Sequence, residues 1–131
     1  MGFADLIVGA KEEKKSPIVL ALDLSPDRPS KLMRKASKTL EAVAPYVCAL
    51  KLNFHLILPL GTSGVKPLVD SAHSAGLACI ADAKLSDIGR TNEVAAGYYF
   101  DAGFDAITVS PLPGWEGTHR YGCLLYTSPS P

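Results

Sequence analysis

The sequence predicts an α/β fold built on a parallel sheet, and two observations support that prediction. Apolar, strand-like runs recur along the chain, and segments with the length and pattern of helices separate the first three of them. The runs start about 30 residues apart, which is the size of a strand–helix unit. This alternation implies a parallel sheet, either doubly wound or closed into a barrel. The predicted strands cover residues 18–24, 47–52, 77–83 and 106–109.

The first helices can be placed from their start and stop signals. An amphipathic helix over Phe3–Lys14 precedes the first strand. The first connecting helix is expected to begin after Ser30 as its N-cap and to end before Pro45, because proline cannot continue a helix. Its apolar stripe consists of Leu32, Met33, Ala36, Leu40 and Val43.

Two more helices are predicted between the later strands. One runs over about 65–75, carries Pro67 in its first turn and ends at Gly76. The other begins near Thr91 and ends at Gly103. The residues of this last helix expected to pack inward are Val94, Ala95, Tyr98 and Tyr99.

Strand parity favours a barrel over an open sheet. Residues two apart share a face of a strand, so each of the first three strands has one row that starts apolar and ends charged. These rows end in Asp23, in Lys51, and in Asp82 followed by Lys84. In a βα barrel such strand ends meet at the C-terminal mouth. An open sheet usually carries a Gly-rich phosphate turn after its first strand, whereas residues 25–29 read Ser-Pro-Asp-Arg-Pro.

The length of the chain does not suffice for a whole barrel. A complete barrel has eight units and typically about 250 residues, and this chain has 131. We expect residues 1–117 to be the N-terminal half of a barrel enzyme and residues 118–131 to be a non-native or disordered tail. Residues 123–131 resemble the translated read-through of a sequencing adapter. A genuine disordered C-terminus is the alternative.

Composition excludes several classes of partner. The chain is 47% hydrophobic and 20% charged, with a formal net charge of zero. That balance does not suggest bulk binding to nucleic acid or to an anionic membrane surface. No apolar stretch approaches the roughly 20 residues of a spanning helix, and we expect a cytoplasmic protein. Three widely spaced cysteines, Cys48, Cys79 and Cys123, indicate free thiols rather than a disulfide or a zinc site.

One segment resembles a family signature. Residues 82–92 read Asp-Ala-Lys-Leu-Ser-Asp-Ile-Gly-Arg-Thr-Asn. This resembles the Asp-x-Lys-x-x-Asp-Ile-x-x-Thr signature of the orotidine 5′-phosphate decarboxylase family, especially its compact archaeal and bacterial forms. The resemblance extends over 17–114, with Ala-Leu-Asp at 21–23, Leu-Lys-Leu-Asn at 50–53 and Thr-Val-Ser-Pro-Leu-Pro-Gly at 108–114.

The resemblance implies a fold, a reaction and an assembly. The fold is a (βα)8 TIM barrel, of which this chain would be a truncated half barrel of about four βα units. The reaction converts orotidine 5′-phosphate to UMP and carbon dioxide in pyrimidine biosynthesis, in a homodimer and with no cofactor or metal. The chain itself is expected to have little or no activity, because such barrels grip phosphate in the loops after strands 7 and 8.

The resemblance also implies roles for single residues. Lys84 would stabilise the developing carbanion and donate a proton to C6, and Asp82 would lie near the substrate carboxylate. Lys51 and Asp87 would complete an alternating charge network. The remaining substrate-binding residues would be Asp23 and Asn53 at the ribose hydroxyls, with Ile88 and Thr91 on the loop after the third strand. Asp87 and Thr91 would reach across the dimer interface.

Simpler readings exist for the same residues. Asp23 fits a turn or a helix cap, and Lys51 fits a strand-end lysine whose charge reaches solvent. The acid–base–acid array starting at Asp82 fits a structural ion-pair network. His55 and His73 match no motif.

Two other functions stay open at this point. Magnesium-dependent sugar-phosphate decarboxylases and synthases of the same superfamily share Asp-x-Lys-x-x-Asp, although Ile88 and Thr91 favour the orotidine enzyme. A non-catalytic half-barrel that serves as a dimerisation module is the second alternative.

Overall fold

Parallel strands and helices alternate along the chain, as the sequence predicts. The computed structural model describes residues 2–114 and the backbone of 124–126. The strands are hydrogen-bonded in sequence order, β1 to β5, and every neighbouring pair is parallel. The elements are α1 (Phe3–Lys14), β1 (Val19–Leu22), α2 (Pro29–Val43), a 3₁₀ turn (Ala44–Tyr46), β2 (Ala49–Leu52), α3 (Phe54–Ser74), β3 (Ala78–Leu85), α4 (Gly89–Asp101), β4 (Ala106–Val109) and β5 (Leu124–Tyr126).

The two faces of the sheet have different surroundings. One face packs against α2, α3 and α4 in the main core, through strand residues such as Leu22, Leu52 and Ile107. The other face packs at its N-terminal end against α1, where Ala10 joins a small cluster that includes Ile80. Helix α1 therefore covers the lower part of this second face. Its upper part, at the C-terminal ends of the strands, is left to polar side chains.

Several boundaries match the prediction. Helix α1 and strand β4 have the predicted ends, and α2 ends at Val43, just before Pro45. Strand β3 continues to Leu85, two residues beyond its predicted end at 83, and its pairing with β4 shifts register between Ala81 and Leu85. This irregularity contains the charged residues of the strand.

The predicted N-cap of α2 is wrong. The helix begins at Pro29, with Arg28 as N-cap in an extended conformation, and Ser30 lies inside the first turn. Proline is favoured at the first helical position, since its ring presets φ and its missing N–H would have no intrahelical partner there. The buried residues Leu32, Ala36 and Leu40 confirm the predicted stripe, with Met33 and Val43 partly buried beside them.

The predicted start of the second connecting helix is also wrong. Helix α3 begins at Phe54, because the Asn53 side chain caps it by accepting from the His55 N–H at 3.0 Å. The helix contains Pro59 and Gly61, which are residue types that break helices, and it accommodates them in a kink at Gly61, where φ is 72° and ψ is 168°. It ends as expected before Gly76, which has a φ of 78°.

Helix α4 is rotated relative to the predicted packing. It begins at Gly89, and its buried residues are Asn92 and Ala96. Tyr99 packs on the core and makes an edge-on contact with Phe104 at 6.0 Å between ring centroids. The expectation that Val94 and Tyr98 pack inward is wrong, since both are exposed. The rotation places the Asn92 amide against the loop that precedes the helix.

A fifth strand adds to the four predicted ones. The backbone of Leu124–Tyr126 pairs with β4 in parallel, Ile107 opposite Leu124. The rest of the predicted tail, 118–123 and 127–131, lies outside the described residues, as does Cys123. The assignment of 118–131 as a non-native tail stays a prediction. Among the described residues, no helix combines the length and apolar character needed to cross a bilayer.

Candidate active site

Three charged side chains meet where β2 and β3 end. The Nζ of Lys84 lies 2.8 Å from Oδ2 of Asp82, and the Nζ of Lys51 lies 3.5 Å from the same oxygen. We call Lys51, Asp82 and Lys84 the charge cluster. Asp82 is only 6% exposed, whereas the Lys84 side chain is 55% exposed. The cluster thus has a buried anion at its base and a cation that faces the mouth.

Strand register explains why these residues meet. Lys51 pairs with Ile80, so Asp82 lies one pleat further along β3 on the same face. Lys84 follows two residues later, where the backbone of β3 is irregular. Parity therefore predicts a shared face for Lys51 and Asp82, and the parallel pairing puts the ends of β2 and β3 at one edge of the sheet.

A buried threonine supports the cluster from β4. The hydroxyl of Thr108 donates to Oδ1 of Asp82 at 2.8 Å and accepts from the backbone N–H of Lys84 at 3.0 Å. The Lys84 backbone is left-handed, with a φ of 47°. A non-glycine residue there costs on the order of 1–3 kcal/mol, and such strain collects at functional sites. In the sequence, Thr108 stands out only as the first residue of the Thr-Val-Ser-Pro-Leu-Pro-Gly match at 108–114.

The surroundings of Asp82 favour its ionised form. Burial alone raises the pKa of this carboxyl, but hydrogen bonds from Lys84 and Thr108 and the positive charges of Lys51 and Lys84 lower it. The lowering effects win, and the pKa of Asp82 lies below its ordinary value. The cluster therefore holds one carboxylate between two cationic side chains.

The other acid of the signature lies outside this cluster. Asp87 is exposed on the loop between β3 and α4, and its Oδ1 accepts from the Ile88 N–H at 2.7 Å. Within the part of the chain that is described, no ion pair joins Asp87 to Lys51 or Lys84. Ile88 and Thr91 are also exposed. The alternating network of the sequence interpretation thus contains three of its four members within one chain.

A buried amide fixes the shape of that loop. Asn92 is 1% exposed, and its side chain bonds to both the N–H and the carbonyl of Asp87. Sequence reasoning assigns Asn92 no role. The sequence signal that could have pointed to Asn92 is its position in the first turn of α4. That it lies on the buried face of the helix is known only from the structure.

Two predicted ribose contacts follow the first two strands. Asp23 comes directly after β1 and is exposed, and Asn53 comes directly after β2 and is half-buried. The Oδ1 of Asn53 caps α3, so this residue has a structural role whatever it binds. His55 lies beside it, with its Nδ1 3.1 Å from the Leu24 carbonyl oxygen, and joins α3 to the loop after β1.

A second group of potential ligand atoms lies at the opposite end of the strands. Atoms of His73, Cys79 and Asp105 lie within 4.8 Å of one another. Asp105 Oδ2 already accepts from the Cys79 N–H at 2.7 Å and lies 2.8 Å from Nε2 of His73. Burial raises the pKa of the Cys79 thiol, which disfavours the thiolate that binds metals. The group is better explained as a tie between α3, β3 and the start of β4.

The fold and the site together define a class of protein. Parallel strand–helix units with charged side chains at the C-terminal strand ends are typical of βα-barrel proteins whose site lies at the barrel mouth. The sequence model of the Orotidine 5′-phosphate decarboxylase / HUMPS family matches residues 16–120. The chain belongs to this family.

Curated relatives place the match in one half of a longer protein. A Methanosarcina barkeri protein named orotidine 5′-phosphate decarboxylase is 38% identical over 102 residues, covering 78% of this chain and 41% of that protein. A protein of the same name from Dehalococcoides mccartyi is 33% identical over 131 residues, covering 92% of this chain and 47% of that protein. The chain spans less than half the length of these relatives.

Solved structures confirm the predicted fold class. Orotidine 5′-phosphate decarboxylase from Pyrococcus horikoshii OT3 matches with a TM-score of 0.66 at 30% identity, over 82% of this chain and 49% of that chain. OMP decarboxylase from Leishmania donovani matches with a TM-score of 0.81, over 98% of this chain and 55% of that chain. Its 23% identity supports the fold alone. The chain has the architecture of about half of a TIM barrel.

Proposed function

We propose that the complete protein decarboxylates orotidine 5′-phosphate to UMP and that residues 1–117 form its N-terminal half. It would be a carboxy-lyase of pyrimidine biosynthesis. The observation that carries the proposal is the charge cluster, in which Lys84 and Lys51 flank the buried carboxylate of Asp82 at a strand-end mouth. The named relatives, to which the chain is similar over 78% and 92% of its length, support it.

The cluster suits the chemistry of this reaction. When the bond from C6 to the carboxylate breaks, carbon dioxide leaves and the electron pair stays on C6 in the plane of the ring, where the π system cannot absorb it. A fixed positive charge is then the main available help. The exposed ammonium of Lys84 would supply that charge and donate its proton to C6. The resulting neutral amine would regain a proton from solvent.

Asp82 would act on the ground state. Its carboxylate lies 2.8 Å from the Lys84 ammonium, so a substrate carboxylate bound at that ammonium would lie near a second negative charge. Repulsion there would be relieved as carbon dioxide leaves. Lys51, 3.5 Å from Asp82, would balance the buried charge from the other side.

We propose a homodimer with shared active sites. Asp87 and Thr91 would serve the site of the partner subunit, with Ile88 beside them against the substrate. Their exposure on the loop after β3, away from the charge cluster of their own chain, supports this assignment. Asp23 and Asn53 would bind the ribose hydroxyls from the ends of β1 and β2.

The donor set favours this reaction over a magnesium-dependent one. Oδ1 of Asp82 accepts from Thr108, and Oδ2 is shared by two lysines. Ammonium groups this close would repel a divalent cation, which prefers several free oxygen ligands. A cytoplasmic location is part of the proposal, and the free buried thiols of Cys48 and Cys79 suit a reducing compartment.

The test begins with the genomic DNA downstream of codon 117. The complete protein, expressed from the recovered gene, is expected to convert orotidine 5′-phosphate to UMP at the same rate with and without EDTA. Residues 1–131 alone are expected to show no turnover, because the phosphate-binding loops of such barrels follow strands 7 and 8. Turnover of a ketose phosphate only with magnesium, and none of orotidine 5′-phosphate, would establish the sugar-phosphate alternative. Stable folding of residues 1–117 alone, with no longer version of the gene, would support the dimerisation module.

A further inference from the structure

Thr108 lies on β4 beside the charge cluster, and its hydroxyl joins two parts of it. The hydroxyl lies 2.8 Å from Oδ1 of Asp82 and 3.0 Å from the backbone nitrogen of Lys84. An ionised carboxylate only accepts and an amide N–H only donates, so the one hydroxyl proton must point at Asp82. Thr108 is 3% exposed, which keeps bulk water from replacing either bond.

The Lys84 backbone needs such a partner. Its φ of 47° departs from strand geometry, and the pairing of β3 with β4 shifts register between Ala81 and Leu85. At this irregularity the Lys84 N–H donates to the side chain of Thr108. A bulge of this kind re-aims a side chain, and here the re-aimed side chain is the central cation of the site.

The two oxygens of Asp82 have separate duties. Oδ1 is held by Thr108, whereas Oδ2 faces Lys84 at 2.8 Å and Lys51 at 3.5 Å. Holding Oδ1 stops the carboxylate from rotating. Without the hydroxyl, the carboxylate could turn so that each lysine took its own oxygen, and the Lys84 ammonium would move from its present position.

We propose that Thr108 is a positioning residue for the reaction, which fixes the carboxylate of Asp82 and the backbone of Lys84 and so places the Lys84 ammonium at the reacting carbon. The inference rests on the proposed decarboxylase function. Thr108 does not touch the substrate in this scheme. Its contribution is geometric, and misplacing a reacting group by about 1 Å can cost on the order of 100-fold in rate.

Three variants of the complete protein test the proposal. Thr108→Val keeps the β-branched shape and removes the hydroxyl, and we expect kcat to fall about 10- to 100-fold with KM within about threefold of wild type. Thr108→Ser keeps the hydroxyl and is expected to restore kcat to within about threefold of wild type. Ile107→Val, on the opposite face of the same strand, loses core packing and is expected to leave kcat unchanged.

A titration separates positioning from mere stability. A hydrogen bond to the charged form of an acid lowers its pKa, so removal of the hydroxyl should raise the pKa of Asp82. Carboxyl ¹³C NMR should show this rise in Thr108→Val and not in Thr108→Ser or Ile107→Val. Wild-type kcat in Thr108→Val, or equal damage from Thr108→Ser, would overturn the proposal.

The two proposals fail in different ways. If the wild-type protein does not act on orotidine 5′-phosphate, the decarboxylase function falls, and with it the catalytic purpose of Thr108. The titration of the Asp82 carboxyl still decides whether the Thr108 hydroxyl orients it. If the pKa of Asp82 is the same in Thr108→Val as in wild type, the orienting role of Thr108 is overturned as well. If the wild-type protein is active and Thr108→Val is equally active, only the positioning role falls.

Discussion

The side chain of Asn92 closes two hydrogen bonds on the backbone of Asp87. Its Oδ1 accepts from the Asp87 N–H at 3.1 Å, and its Nδ2 donates to the Asp87 carbonyl at 2.8 Å. The Asn92 amide thus pairs with the Asp87 backbone as a neighbouring strand would, and it fixes the loop before α4. Because Asp87 belongs to the proposed shared site, the order of this loop bears on both stability and activity.

Asn92→Ala is therefore expected to destabilise the complete protein by about 1–3 kcal/mol, because it removes two partly buried hydrogen bonds to the backbone of Asp87. Urea unfolding measures the loss, and faster amide exchange over 86–91 would locate it in the loop. Glu93→Ala is the control, since Glu93 is exposed and its pair with Arg90 at 3.6 Å is worth at most about 1 kcal/mol. Equal effects of the two substitutions would contradict the role given to Asn92.

Loss of the Lys84 ammonium should nearly abolish the proposed reaction. Lys84→Met removes both the proton donor and the cation, and we expect kcat to fall by at least about 10³-fold. Steady-state turnover of orotidine 5′-phosphate by the complete protein measures this. Lys66→Met provides the control, because Lys66 is an exposed lysine of α3 paired with Asp70 at 2.8 Å. Comparable activity of both variants would remove Lys84 from the mechanism.

Periodicity predicts much of the fold and the centre of the site. Helix α1 and strand β4 have their predicted ends, since apolar pattern and flanking charge agree in both. The meeting of Lys51 and Asp82 at one edge follows from strand parity and parallel pairing, whereas the position of Lys84 also depends on the irregular backbone of β3 after Ala81. Both inferences need only local rules and the alternation of elements.

What parity cannot supply is the contact that depends on irregular geometry. The predicted start of α3 is too late, because Pro59 and Gly61 are residue types that usually break a helix. The kink that accommodates them depends on tertiary packing, which the sequence pattern does not show. The hydrogen bond from Thr108 to Asp82 joins β4 to β3 between residues 26 positions apart, where the strand pairing shifts register. The inward turn of Asn92 likewise depends on how α4 rotates against the core.

The pH dependence of stability should carry the mark of Asp82. Burial raises the pKa of this carboxyl, but hydrogen bonds from Lys84 and Thr108 and the charges of Lys51 and Lys84 together lower it below its ordinary value in the folded state. The unfolded chain thus binds its proton at higher pH than the folded one, so folding gains stability above the ordinary aspartate pKa of about 3.9 and loses it as the pH falls further. Urea midpoints of wild type and Asp82→Asn, compared at about pH 6 and about pH 3, measure this window. The stability advantage of wild type should shrink at the lower pH, and a constant difference would contradict the assignment.

Gly61 offers a test of the kink that sets the course of α3. Its φ of 72° and ψ of 168° lie in a region that is essentially restricted to glycine. Apart from its chain neighbours and the nearby helix backbone, no atom lies within 4 Å of an added Cβ. Gly61→Ala is therefore expected to destabilise the complete protein by about 1–3 kcal/mol through backbone strain alone.

Gly97→Ala is the matched control, because Gly97 lies on the exposed side of α4 with equally open space around it. Alanine there should stabilise the helix by about 0.5–1 kcal/mol. A lower urea midpoint for Gly61→Ala together with a higher one for Gly97→Ala would confirm the kink. Stabilisation by both substitutions would show that α3 runs straight through residue 61.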